Sequence, residues 1–363
     1  MTIDACDACL RRTDLIAALA GAIDVQWRTR AARSKVLGLP DDDLMGLAPG
    51  DGARRRYEAF DPARARERIA GAGLSAACRC AAAYPAALSE LPDPPAVVHV
   101  GGDAGLLADH DTVAVVGARR ASPYGLEVAR ALGRALAAAQ VPVVSGMALG
   151  VDSAAHAGAL ERGGPSVAVL AGGADVAYPA SKRRLHAELL DRGCVVSELP
   201  PGFNAFRWCF PARNRLIAGL AAVCVVVEAA ERSGSLITAD FAAELGKPVG
   251  AVPGQVTSRL AGGANALLRD GAALVRGGGD VLDLLFAEGG GAGRERPAAE
   301  PGDGEPLEPE LRRLLDAVEQ GGGSLAALAS TPEEANAAIR GLTELELRGL
   351  VRRGFGGRYV RTA

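Results

Sequence analysis

At 363 residues the chain exceeds one ordinary core, so two or three domains are expected. Hydrophobic residues make up 49% and charged residues 23%, as in globular proteins, while 47 glycines and an alanine excess leave periodicity a better guide than propensity. A net charge of -3 excludes a polycation that coats nucleic acid through overall charge, so any polyanion site must be a local patch.

Residues 1–80 read as a small helical domain, with short helices expected from Thr13 to Ala22, Ala32 to Leu37 and Pro62 to Ala70 between Gly, Pro and Asp punctuation. Its start, MTIDACDACLRR, lacks the basic end and apolar stretch of a secretory signal, and no run approaches about eighteen apolar residues. A cytoplasmic protein is therefore expected. The segment LGLPDDDLMGLAPG has features of a helix-hairpin-helix module, but a plain packing domain is the preferred reading. Cys6, Cys9, Cys78 and Cys80 flank this domain as two close-spaced pairs, the four sulfurs a structural zinc needs; two unrelated pairs of free thiols are the plainer alternative. Cys194, Cys209 and Cys224 lie in or near apolar runs, as reduced core thiols do, so no disulfide framework is expected.

From 112 to 285, strand, glycine loop and helix alternate. Strands are expected from Thr112 to Val116, Val141 to Val144, Ser166 to Leu170, Cys194 to Val196, Ala222 to Val227 and Pro248 to Val252. Most are nearly continuous Val/Ala/Leu runs, the pattern of strands covered on both faces. The expected fold class is α/β, a Rossmann-like parallel sheet with helices on both faces over residues 81–285. Residues 286–306, rich in Gly, Pro and Glu, read as a flexible linker. Residues 307–363 then read as three helices and a hairpin, LVRRGFGGRYVR, which together suggest a winged helix. Its recognition-helix candidate carries Glu333, Glu334, Glu344 and Glu346 against Arg340 and Arg348, so a protein contact or auxiliary surface is expected there rather than a duplex reader.

Four loops carry candidate chemistry. After the first strand, Gly117 to Gly125 places Arg119 and Ser122 at a helix N-terminus, where backbone N–H groups, a hydroxyl and a guanidinium suit a phosphate; a plain strand-to-helix turn capped by Ser122 is the alternative. A dinucleotide site would need G-x-G-x-x-G here and an acidic residue about twenty positions later, and neither is present. Ser145 and Gly146 begin a second glycine loop, followed by Asp152 and His156 four apart; a local Asp–His interaction is favoured over a catalytic pair. Between Lys182 and Arg215, seven basic residues (Lys182, Arg183, Arg184, Arg192, Arg207, Arg213, Arg215) face Glu188, Asp191 and Glu198. Phe206, Trp208 and Phe210 interleave with Arg207, a combination suited to stacked bases and phosphates. Arg213, Asn214 and Arg215 are candidates for direct contact, although Glu198 or Glu228 can instead hold the two arginines internally. Ser233, Gly234 and Ser235 open a further helix beyond the strand that ends near Glu228.

Taken in order, GARRASPYG, SGMALGVDSAAH, YPASKRRL, FPARNRLIAGL, VVEAAERSGSLITA, VPG and GGANALLRDGA resemble the motif series of the DNA processing protein A (DprA/Smf) family, from about Tyr84 to Leu285. The resemblance implies an extended Rossmann-like domain that binds single-stranded DNA, forms a homodimer and helps load the RecA recombinase in natural transformation or recombination. It also implies no enzymatic activity and no required cofactor. Arg119 and the basic start of the YPASKRRL helix would contact phosphate. The family usually has Asn where Lys182 stands, so Lys182 and Arg183 remain alternatives for that role. A nucleotide-processing enzyme related to the lysine-decarboxylase-like phosphoribohydrolases would need a PGGxGT loop, where this chain has Val252-Pro253-Gly254-Gln255-Val256-Thr257. A sensor binding a small nucleotide at the Ser145/Ser233 edge is a third reading.

Overall fold

The computed structural model describes residues 2–27, 36–287, 308–319, 328, 331–347, 350–353 and 359–361. They fall into two compact units, 1–296 and 297–363. The helix expected from Ala32 to Leu37 and the linker expected over 286–306 lie largely outside the described residues. Among the described residues, no helix is long and apolar enough to cross a membrane.

The first unit is built on one ten-stranded sheet. Its strands are β1 (Ile3–Asp4), β2 (Ser75–Cys78), β3 (Val97–Gly102), β4 (Val113–Val116), β5 (Val143–Ser145), β6 (Ser166–Val169), β7 (Cys194–Ser197), β8 (Val223–Val226), β9 (Val249–Ala251) and β10 (Ala273–Leu274). They lie in the order β1-β2-β3-β7-β6-β5-β4-β8-β9-β10. All neighbours from β7 across to β10 pair in parallel, whereas β3 is antiparallel to both β2 and β7. The six expected strands recur within two residues of their expected bounds.

The alternation of side chains along each strand explains why the central runs are apolar throughout. On β4, Val113 and Val115 pack with the helices Pro123–Ala138, Val151–Glu161 and Gly278–Ala287. Ala114 and Val116 point the other way, onto the helices Cys209–Leu220, Leu236–Glu244 and Gly262–Arg269. β8 repeats the pattern, with Val223 and Val225 on the first face and Cys224 and Val226 on the second. Helices thus cover both faces of a mostly parallel, Rossmann-like sheet.

Residues 1–80 do not form the self-contained helical domain expected of them. β1 and β2 extend the sheet, and residues 1–296 make one unit. The N-terminal helices Asp7–Ala18 and Ala20–Gln26 also pack onto it through Trp208. The Trp208 indole N–H donates to the Ala20 carbonyl at 3.0 Å, and its ring lies 5.7 Å from that of Trp27.

In the second unit, the helices Pro309–Glu319 and Pro332–Leu347 and the antiparallel pair β11 (Val351–Arg353) and β12 (Tyr359–Arg361) enclose Leu311, Leu315, Leu342, Leu345 and Tyr359. Thr331 and Glu334 form a reciprocal capping box at the start of the second helix, with bonds of 3.1 and 3.2 Å. Most of residues 324–329, where the middle of the three expected helices falls, and the hairpin's tip at 354–358 lie outside the described residues.

Candidate nucleic-acid interface

The strand order reverses at β4. From there β5, β6 and β7 succeed one another on one side, while β8, β9 and β10 continue on the other. Loops leaving the carboxyl ends of β4 and β8 diverge at such a switch point and leave a crevice, the usual ligand position in open α/β sheets. A groove of about 720 Å³ lies there, walled by Arg119, Arg120, Tyr178, Phe210, Arg232 and Ser233 among others.

Its charge is one-sided. Arg119, Arg120, Arg207, Arg213 and Arg232 line it against a single acid, Asp152, which is buried. Arg119, Arg120, Arg207 and Arg232 are exposed. The Arg119 guanidinium lies over the Phe210 ring, 4.9 Å from its centroid, and Tyr178 stacks obliquely on that ring at 5.3 Å. The aromatic contact orients Arg119 without neutralising it, so its charge remains available to a phosphate. Tyr178 is 48% exposed, enough to offer a flat surface to a base; Phe206, 41% exposed and next to Arg207 in sequence, lies outside the groove lining.

A second depression, about 690 Å³, adjoins the groove and shares Arg119 and Arg120 with it. Lys182, Arg130 and Arg134 also line it, although Arg130 and Arg134 pair with Glu161 at 2.6 and 3.4 Å. Lys182 thus lines the same depression as Arg119. Arg183 is exposed at the start of its helix and lines neither depression.

Several expected site residues turn inward instead. The N-terminus of the Pro123–Ala138 helix already holds an anion, since Glu228 accepts from the Ser122 backbone N–H at 2.8 Å and from the Ser122 hydroxyl at 2.6 Å. A Cβ on Gly125 would come within 2.4 Å of that carboxylate, so glycine there makes room for Glu228. Ser122 is consequently a cap satisfied inside the protein and not a free phosphate donor. Ser145 is wholly buried and donates to the Val115 carbonyl at 2.6 Å.

Arg213 and Arg215 are buried, at 5% and 4% exposure; Arg213 still lines the groove, whereas Arg215 does not. Arg215 is held by Asp93 at 2.9 Å and by Glu198 at 2.7 Å. Arg213 takes no carboxylate in a direct bond; it donates to the carbonyls of Gly146, at 2.8 Å, and Val169. A Cβ on Gly146 would meet its guanidinium at 2.1 Å. Burial pushes the Arg213 pKa down to about 10, with nearby Asp152 opposing the shift. Arg213 thus underlies the groove lining, while Arg215 ties its helix to Asp93 and Glu198.

Asp152 and His156 do not pair. Asp152 accepts from the N–H groups of Gly146 and Ala148 at 3.2 and 3.4 Å, closing the glycine loop, and burial raises its pKa. His156 instead shares a 2.7 Å hydrogen bond with Ser166 on β6. Trp208 is a core anchor, 1% exposed, and so offers no face to a base.

Gly117, Asn214, Ser233, Gly234 and Ser235 do line the groove. Asn214 ties the serine loop to its wall by donating to the Gly234 carbonyl at 3.1 Å, and the Ser233 and Ser235 hydroxyls bond each other at 2.7 Å. Arg120, Tyr178 and Arg232 belong to the groove without being expected there. Arg120 and Arg232 lie in the loops that leave β4 and β8, so the rule that ligands collect where the strand order reverses finds them once the β4–β8 pairing is known.

The fold and the groove together define a Rossmann-like protein with a cationic, aromatic-lined crevice at its switch point and no dinucleotide fingerprint. The family model described as DNA recombination-mediator protein A matches residues 75–286, and the chain belongs to that family. It is 48% identical over 187 residues to a putative DNA processing protein DprA of Mycobacterium tuberculosis, covering 51% of this chain and 48% of the relative. It is 43% identical over 199 residues to the DNA processing protein DprA of Streptococcus pneumoniae, covering 55% and 70%. Protein Smf of Synechocystis is 32% identical over 315 residues, covering 77% and 78%. The chain thus spans about half the length of the mycobacterial relative. The X-ray structure of the Streptococcus pneumoniae protein superposes with a TM-score of 0.62 at 33% identity, covering 76% of this chain and 95% of that one. DNA processing protein A of Helicobacter pylori, whose structure is described in terms of its single-stranded DNA binding mode, superposes at 0.52 with 31% identity, covering 56% and 93%.

Proposed function

We propose that this chain is a recombination mediator that binds single-stranded DNA in the switch-point groove and acts without catalysing a reaction. The observation that carries the reading is Arg119, exposed and stacked on Phe210 beside Tyr178, among four exposed arginines and no exposed acid in the groove. Phosphates meet the guanidinium groups, and bases stack on the exposed face of Tyr178. Lys182 extends the cationic track past Arg119, which favours it over Arg183 as the helix-borne phosphate contact. Family membership supports homodimerisation, RecA loading in natural transformation or recombination, and a cytoplasmic site of action.

Titrating a labelled oligothymidylate over a range of salt concentrations tests the groove. For the unaltered protein, log K should fall linearly with log salt. Arg119→Ala and Arg207→Ala should each bind more weakly and reduce the slope by about 0.7 for each phosphate no longer neutralised. Unchanged affinity and slope in both variants would falsify the proposed site. A nucleoside monophosphate that competes at its own micromolar affinity would point to a nucleotide sensor instead.

A further inference from the structure

The N-terminal end of the chain carries a cluster that the groove does not use. Cys6 caps the helix Asp7–Ala18 without a side-chain capping bond, and Cys9 lies in its first turn. Cys78 ends β2, and Cys80 lies in the turn that follows. Cys6 and Cys78 are 72 positions apart in sequence, yet the parallel pairing of β1 with β2 brings the two pairs together, and all four Sγ atoms lie within 4.8 Å of one another. The Cys9 and Cys80 sulfurs are 3.8 Å apart, and the Cys6 backbone N–H donates to the Cys78 sulfur at 3.4 Å.

We propose that Cys6, Cys9, Cys78 and Cys80 hold one structural zinc ion that staples the N-terminal helix to the edge of the sheet.

A tetrahedral ion with zinc–sulfur bonds of about 2.3 Å sets its sulfurs about 3.8 Å apart. The cluster is close to that size and needs only small side-chain rotations to close. An iron–sulfur cluster distributes its cysteines over several irons bridged by sulfide, which spreads the cysteine sulfurs beyond this span. Four thiolates complete the shell and leave no open position, so the ion is structural and not catalytic. Cys9 and Cys78 are buried while Cys6 and Cys80 are exposed, so the inner pair anchors the site and the outer pair admits the ion.

The local architecture gives the ion a task. β1 contributes only two residues to the sheet and sits at its edge, so few ladder hydrogen bonds hold it there. A metal joining positions 6 and 9 to positions 78 and 80 closes a loop of about seventy residues, and cross-linking a loop of that length removes much of the freedom of the unfolded chain.

The test uses the full chain, purified with a reductant and without added chelator. Elemental analysis should give about one zinc per chain, and protein stripped of metal and refilled with cobalt(II) should show the intense visible bands of a tetrahedral thiolate site. Cys80→Ser, chosen because Cys80 is exposed and leaves the core intact, should weaken or abolish those bands while circular dichroism stays native. Reduced protein that takes up well below one equivalent of zinc and gives no tetrahedral cobalt spectrum would overturn the proposal. So would full metal content in a Cys9→Ser, Cys80→Ser double variant. Both readouts are independent of DNA binding, so the metal site stands or falls separately from the groove.

Discussion

At the scale of single residues, two arginines that are both site candidates on sequence grounds have opposite fates. Arg119 stacks on an aromatic ring at the mouth of the groove, while Arg215 is enclosed between Asp93 and Glu198. Substituting Arg215 by Ala leaves two partly buried carboxylates without their counter-charge, a change that costs about 3–5 kcal/mol. Arg215→Ala should therefore lower the denaturant midpoint strongly, while its folded fraction retains the salt slope of the unaltered protein. Arg119→Ala should do the reverse, losing DNA affinity at nearly native stability. A reduced salt slope in folded Arg215→Ala would place that guanidinium against DNA. Sequence alone left Arg215 open between DNA contact and internal pairing and named Glu198, which holds it, but its second partner Asp93 lies 122 residues away and cannot be read from its neighbours in the chain.

At the scale of elements, the contact between the Val151–Glu161 helix and β6 runs through His156, fully buried and bonded to Ser166. Burial pushes the His156 pKa down to about 3 from an ordinary value of 6.5, so the folded state keeps the ring neutral where the unfolded chain takes up a proton. Between those values the unfolded state binds more protons. Stability contributed by the neutral ring is thus complete above about 6.5 and is lost as pH falls towards 3. In His156→Asn that loss disappears. The stability advantage of the unaltered protein over the variant should shrink by about 1.4 kcal/mol per pH unit below about pH 6, as read by urea unfolding at several pH values. A difference that does not vary with pH would mean that the imidazole is not held neutral. The same element pair shows why the expected Asp152–His156 interaction fails. Spacing of four sets both on one helix side, but Asp152 is drawn back to the loop N–H groups and His156 forward to the sheet.

At the scale of the whole molecule, the groove lies entirely within residues 1–296, and the C-terminal unit presents Glu334, Glu344 and Glu346 on the exposed side of its longer helix. A fragment ending at residue 296 should therefore keep most of the affinity for single strands, because the deleted acids oppose a phosphate backbone. Arginines on the β11–β12 hairpin allow a modest loss. A tenfold loss, about 1.4 kcal/mol, in a fragment that stays folded with the full-length oligomeric state would make the C-terminal unit a principal DNA-binding element.

What the sequence determined by itself was the α/β alternation, because strands buried on both faces must be apolar at every position and glycine loops must interrupt them. Six strands and the loops that wall the groove were legible on that basis. The motif series, read as a resemblance, added the family. β1, β2 and β10 were not legible, since a strand of two residues or the alanine-rich SAAC carries no periodicity and acquires its state from the neighbour it pairs with; β3, VVHVGG, is a short apolar run missed because it stands ahead of the alternation starting at 112. Only the tertiary structure decided which charges are free. The seven basic residues between Lys182 and Arg215 do not form one patch: Arg184 pairs with Glu188, Arg192 donates to the Leu160 carbonyl, and Arg213 and Arg215 are buried. Of the seven, Arg207 is exposed in the groove, and the rest of the groove's exposed charge comes from Arg119, Arg120 and Arg232, spread over more than a hundred positions and gathered by the order of the strands. Glu228 likewise fills a helix N-terminus 106 residues away in sequence. An ion pair or a cap acts through space at about 3 Å, and the chain order that a sequence records does not encode which distant groups will meet at that distance.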